Sequence, residues 1–239
     1  MPTNLTSKKT SFWSRVFDLI APRACVICGN RLALSENTIC ARCNLHLPRT
    51  GYHKSPYENE MAKLFWGQIP IEKGAALFYY EAHSQVSKII YSLKYGNRPE
   101  TGIIMGRMTS REFETSKYFE DIDIIIPVPL SKKRLRHRGY NQSMEIAKGI
   151  NEVTNIPIIN NAVTRHTFTE SQTHKDRWGR MENVEGVFVL NNTGAIKDKH
   201  ILIVDDVVTT GATIISLAKE LMKAGDIKIS VISLGFAKS

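Results

Sequence analysis

From Gly74 onward, apolar runs of strand length alternate with segments whose apolar residues recur every three or four positions. Ala75–Tyr80 predicts a strand, and Gln85–Tyr95, with Val86, Ile89, Ile90 and Leu93 at helical spacing, predicts an amphipathic helix. Thr101–Phe119 reads as a second helix, Ile122–Val128 as a buried strand and Asn141–Ile150 as a helix. Gly186–Leu190 and His200–Val204 then predict strands, Thr213–Ala224 a helix stopped by Gly225, and Asp226–Leu234 a closing strand. Strands separated by helices of this length imply an α/β fold with a mostly parallel sheet covered on both faces. Ligands of such sheets sit at the carboxyl ends of strands, which directs attention to the residues after Val128 and Val204. Earlier in the chain, Phe12, Trp13, Val16, Phe17, Leu19 and Ile20 suggest a short amphipathic helix, and Pro48, Gly51, Ser55 and Pro56 mark a loop. The expected organisation is a small module over 1–56 and a larger domain over 57–239.

Composition sharpens this picture. With 42% hydrophobic and 23% charged residues among 239, the chain is that of a globular protein, which excludes a disordered or collagen-like one. No apolar run approaches the 18 or more residues of a transmembrane helix, and Arg15 and Asp18 interrupt the apolar segment after Lys8 and Lys9, so it fails as a secretory signal. A cytoplasmic location is the expectation. The formal charge is +9, and the excess lies in two places, over 1–50 and over 131–180. Clustered cations suit a polyanion-binding surface, although a solvated basic face would look the same.

All four cysteines fall in the small module, as Cys25-x2-Cys28 and Cys40-x2-Cys43. Two C-x-x-C turns can close a tetrahedron of thiolates around Zn²⁺. The rival readings are two disulfides, which a reducing compartment disfavours, and a thioredoxin-like redox pair, which lacks a surrounding βαβ pattern. A four-thiolate zinc has no open position, so it would be structural.

The most informative segment is ILIVDDVVTTGAT at 201–213. A buried apolar strand leads to two carboxylates, and a turn of small hydroxyl residues then opens a helix. Backbone N–H groups and the helix dipole at such a turn favour a phosphate. The carboxylates would be repelled by that phosphate and suit neighbouring ribose hydroxyls or Mg²⁺. A second cluster follows the strand ending at Val128: Lys132, Lys133, Arg134, Arg136, His137 and Arg138, with Gly139, Tyr140, Asn141 and Gln142 opening the next helix. Those cations could neutralise pyrophosphate, and the amides of Asn141 and Gln142 could add donors. The stretch Arg165–Arg180 has no clear period and reads as a loop able to close over a ligand.

The segment 201–213 resembles the phosphoribosyl pyrophosphate (PRPP) signature of type I phosphoribosyltransferases. The resemblance implies that Asp205 and Asp206 take the ribose diol, and that Thr209, Thr210, Gly211, Ala212 and Thr213 take the 5′-phosphate, with Mg²⁺ accompanying PRPP. Further motifs narrow the likeness: LKYGN at 93–97, VPLSKKRLRHRGYNQS at 128–143, Thr169-x-x-Gln172 and R-x-x-N-V-x-G-V-F from Arg180. Together with the four-cysteine module they resemble the ComF (competence protein F) family over roughly residues 20–236. By that resemblance Lys94 points at the same pocket, Thr169, Gln172 and Arg180 belong to the closing loop, and other competence proteins are partners.

Two functions are compatible with these residues. One is handling of single-stranded DNA in natural competence by a PRPP-binding fold, with cations neutralising phosphates and aromatics such as Tyr140 and Trp178 stacking on bases. The alternative is Mg²⁺-dependent transfer of a phosphoribosyl group to a nucleobase-like or amine acceptor, in which the protein chiefly positions and neutralises charge.

Overall fold

The computed structural model describes residues 23–166 and 187–238 and divides the chain into two compact units, Met1–His46 and Leu47–Ser239. The expected helix over 12–20, and Thr169, Gln172, Trp178 and Arg180, lie outside the described residues. In the smaller unit the first cysteine pair encloses a tight turn, in which Gly29 N–H donates to Cys25 O at 2.9 Å and Gly29 takes φ +76°. The second pair brackets the start of helix α1 (Ala41–Leu45), whose N-cap is Cys40.

The larger unit contains α2 (Glu60–Lys63), β1 (Lys73–Tyr79), α3 (Gln85–Tyr95), α4 (Pro99–Glu114), β2 (Ile124–Pro127), α5 (Lys132–Arg138) and α6 (Gln142–Thr154). There follow β3 (Val163–Arg165), β4 (Phe188–Leu190), β5 (His200–Val208), α7 (Ala212–Leu221) and β6 (Lys228–Phe236). Strands β1, β6, β5 and β2 form one sheet in that order, every pair parallel, while β3 and β4 form a separate antiparallel pair. Ala75–Phe78 and Ile201–Val204 are almost wholly buried, as strands of a parallel sheet must be when elements cover both faces.

Both sheet edges are covered by irregular chain. Thr50 N–H donates to Leu77 O and Tyr79 N–H to Pro48 O along β1, while residues 157–159 pair with Ile125 of β2. Occupying the edge donors and acceptors in this way removes a template for strand addition. It also moves the join between units to His46–Leu47 and away from residue 56, because the Pro- and Gly-bearing loop is tied to β1.

Helices α4 and α6 approach closely enough that glycine is required. A Cβ on Gly106 would lie 2.1 Å from Ile146 O, and one on Gly149 would lie 2.0 Å from Ile103 O. The helix expected over 101–119 begins instead at Pro99, whose fixed φ and missing N–H suit a first helical position, and it ends at Glu114. Strand β5 differs more usefully. It continues past Val204 through the acidic pair to Val208, because Asp205, Val207 and Val208 keep pairing with Ser233, Gly235 and Phe236 of β6.

Candidate functional site

The acidic pair therefore lies within a hydrogen-bonded strand, where neighbouring side chains leave on opposite sides. Each carboxylate has its own partner. Asp205 Oδ1 accepts from Ser143 Oγ at 3.1 Å, in the first turn of α6, and from Asp206 N–H at 2.8 Å. Asp206 Oδ1 pairs with Lys94 Nζ at 2.8 Å, in the last turn of α3, and both side chains are largely shielded from water. Burial first, and then the neighbouring Asp206 charge, pushes the Asp205 carboxyl up to about 7, against the pull of Asp206 N–H, Ser143 and Lys94.

Past Val208 the chain turns through Thr209 and Thr210 and enters α7 at Gly211, whose φ of +76° places it in the left-handed region. Gly211 brings no side-chain cap, and Ala212 N–H donates to Thr210 Oγ1 at 3.5 Å; the start of the helix borders the small concavity lined by Asp205 and residues 207–214. A Cβ at Gly211 would also meet Phe65 Cε1 at 3.0 Å, and Phe65 is fully buried. Glycine thus serves both the turn and the packing beneath it.

The cationic cluster after β2 is helix α5, capped by Ser131 Oγ, which accepts from Arg134 N–H at 3.4 Å. Lys132, Lys133, Arg134 and Arg136 are exposed, and among the described residues none has a carboxylate within ion-pair distance. The residues that follow are occupied by the fold. Tyr140 OH donates to Leu93 O at 2.6 Å, Asn141 Nδ2 donates to Val128 O at 3.0 Å, and Asn141 Oδ1 accepts from Ser143 N–H. Gln142 is buried and accepts from Arg138 at 2.7 Å. Tyr140 is accordingly half-buried and not the open stacking ring expected from the sequence; its hydroxyl ties this turn to α3, the Asn141 amide ties it to the end of β2, and the Gln142 amide joins α5 to α6 through Arg138.

Arg165 was expected in a loop and instead ends β3. Its guanidinium carbon lies 5.3 Å from the Phe188 ring centroid. Burial and then Arg134 lower its pKa, while Asp205 raises it. Ser143, which bonds Asp205, and Arg165, which feels the Asp205 charge, are neighbours of the acidic pair that sequence reasoning did not single out. Ser143 closes the motif at 128–143 and could have been marked there, whereas Arg165 has no local signal.

In the smaller unit, the sulfurs of Cys25, Cys28, Cys40 and Cys43 all lie within 4.8 Å of one another, and no pair is disulfide-bonded. Cys28 and Cys40 Sγ are 3.9 Å apart, close to the ~3.8 Å edge of a tetrahedron with sulfurs about 2.3 Å from a central Zn²⁺. Burial raises the Cys25 thiol, but the N–H groups of Cys28, Cys40 and Ile27 outweigh it and bring the group down to about 7. The cluster could hold zinc, which prefers thiolate donors in this arrangement.

The phosphoribosyl transferase domain family matches residues 69–237. The chain is 28% identical over 210 residues to the DNA utilization protein YhgH of Escherichia coli O6:H1, covering 87% of each. It is 27% identical over 225 residues to Competence protein F of Haemophilus influenzae, covering 89% of this chain and 96% of that one. Competence protein ComFC of Bacillus subtilis is 33% identical over 102 residues, covering 43% of this chain and 39% of the relative.

Proposed function

As the chain belongs to the phosphoribosyl transferase domain family, and within it to the ComF group with its type I fold and four-cysteine module, we propose that its larger unit binds PRPP or a related sugar phosphate at the end of β5 and that the protein handles single-stranded DNA. The observation that carries this reading is the start of α7, entered through the left-handed Gly211 with no N-cap side chain, on the turn that follows the acidic pair of β5. An anion is favoured at such a helix start. The 5′-phosphate would take the N–H groups and hydroxyls of Thr209–Thr213, and the ribose hydroxyls would donate to Asp205 and Asp206.

Lys94 supplies a second element. Ligand-free, it neutralises Asp206; on binding it can transfer to the incoming pyrophosphate as the ribose hydroxyls replace it at the carboxylate. The oxygen donors of Asp205 and Asp206 also suit Mg²⁺, which would offset the charge of the ligand. Because Lys94 already satisfies Asp206, that ion fits as a companion of pyrophosphate and not as a resident. Zn²⁺ on the four thiolates would hold the smaller unit in shape.

The DNA part of the reading draws on the exposed cations of α5 and on relatives whose names concern competence and DNA utilization. No helix among the described residues is long and apolar enough to cross a membrane, and a cytoplasmic place of action is part of the proposal. Calorimetry with PRPP and Mg²⁺ tests the site. Parent protein should bind, and Asp205→Asn with Asp206→Asn should weaken binding at least about tenfold, through the loss of charged hydrogen bonds. Parent protein that ignores millimolar PRPP would overturn the reading.

A further inference from the structure

Helix α3 carries two rings on its solvent side. Tyr91 and Tyr95 stand one turn apart, 66% and 55% exposed, while Val86, Ile89, Ile90 and Leu93 bury the other side of the helix. Their centroids are 4.9 Å apart with planes tilted by 46°, so they form one continuous aromatic surface. The Arg138 guanidinium lies 5.4 Å from the Tyr95 centroid, which brings the last turn of cationic α5 against that surface. Between the two tyrosines in sequence, Lys94 reaches Asp206 at the end of β5. Adjacent residues thus connect the ring pair to the proposed phosphate site.

We propose that Tyr91 and Tyr95, with Arg138, are a base-stacking platform for single-stranded DNA whose phosphates run along α5. This rests on the reading above that the protein binds single-stranded DNA. Charge and ring chemistry select that partner together. Six of the seven α5 residues are cationic or histidine, which suits a row of phosphates. The exposed ring surface beside them, with the Arg138 guanidinium against Tyr95, suits unpaired bases, since every base has a π-face and stacking needs no sequence. A duplex hides its base faces within its own stack. An acidic protein segment would pair with the cations and leave both rings idle.

The test uses the full-length protein, an oligothymidylate of about twenty nucleotides, and an abasic strand with the same number of phosphates. Binding is followed by fluorescence anisotropy at several salt concentrations. Parent protein should prefer the oligothymidylate. Tyr91→Ala with Tyr95→Ala should lose about tenfold on that strand, keep its salt slope, and bind the abasic strand as parent does. Tyr91→Phe with Tyr95→Phe should retain parent affinity, and unchanged far-UV circular dichroism of the alanine variant confirms that the fold is intact.

An alanine variant that binds oligothymidylate as tightly as parent overturns the platform while leaving the DNA-binding reading in place. Equal loss on both strands also overturns it, because the rings would then act through the cationic helix and not on bases. Parent protein that binds neither strand at low salt overturns the DNA-binding reading and the platform with it.

Discussion

Replacing Asp205 by Asn should stabilise the ligand-free protein while damaging the proposed ligand site. The carboxyl is pushed up to about 7, first by burial and then by the charge of Asp206. Between about pH 4 and pH 7 the folded protein therefore holds a proton that the unfolded chain releases. Asp205 costs nothing below that window; stability falls as pH rises through it and stays lowered above. Raising the carboxyl from its ordinary value to about 7 sets a ceiling of ~4 kcal/mol, and partial access to water and the nearby Lys94 reduce this to roughly 1–3 kcal/mol. Asn keeps an Oδ1 that accepts from Ser143 Oγ and Asp206 N–H, so only charge is removed. Thermal unfolding followed by far-UV circular dichroism should place the variant roughly 3–8 °C above parent at pH 8 and level with it at pH 4. Asp206→Asn should do the reverse at pH 8, because it leaves Lys94 shielded without its counter-charge. An Asp205→Asn protein that melts below parent at pH 8, or shows an equal difference at both pH values, would refute the assignment of a strained, buried charge.

Three further outcomes are expected. Reduced protein should bind one Zn²⁺ per chain by metal analysis, and Cys28→Ser or Cys43→Ser should abolish this while residues 47–239 still melt cooperatively. Gly106→Ala and Gly149→Ala should each cost roughly 1–3 kcal/mol in urea unfolding, since the added methyl meets a backbone carbonyl oxygen of the facing helix that cannot move alone. Neutralising Lys132, Lys133, Arg134 and Arg136 together should weaken single-stranded DNA binding at all sequences alike and flatten its salt dependence, which anisotropy titrations at several salt concentrations measure.

The candidate site was legible where its chemistry is local. Each C-x-x-C pair sets its own turn, and the apolar strand, acidic pair and small-residue turn of 201–213 are consecutive, so residue types in order are enough to suggest thiolate and phosphate sites. The parallel α/β pattern was legible for the same reason, because periods of two and 3.6 are properties of short windows. Residues 48–56 misled because proline and glycine report a break in regular structure and say nothing of what the broken segment lies against.

Other features depend on partners distant in the chain. Only pairing with Ser233, Gly235 and Phe236 carries β5 through the acidic pair, and only the packing of α3 and α6 gives Asp206 to Lys94 and Asp205 to Ser143. Tyr140 looks in sequence like any ring beside cations, yet its hydroxyl is held by Leu93 O, while Tyr91 and Tyr95 inside an amphipathic helix are among the rings left to water. By itself the sequence determined which chemical groups the protein carries and which secondary structure holds them, because both follow from near neighbours. The tertiary structure alone decided which of those groups are spent on one another and which remain open, since desolvation, ion pairing and ring exposure are set by segments that meet only when the chain has folded.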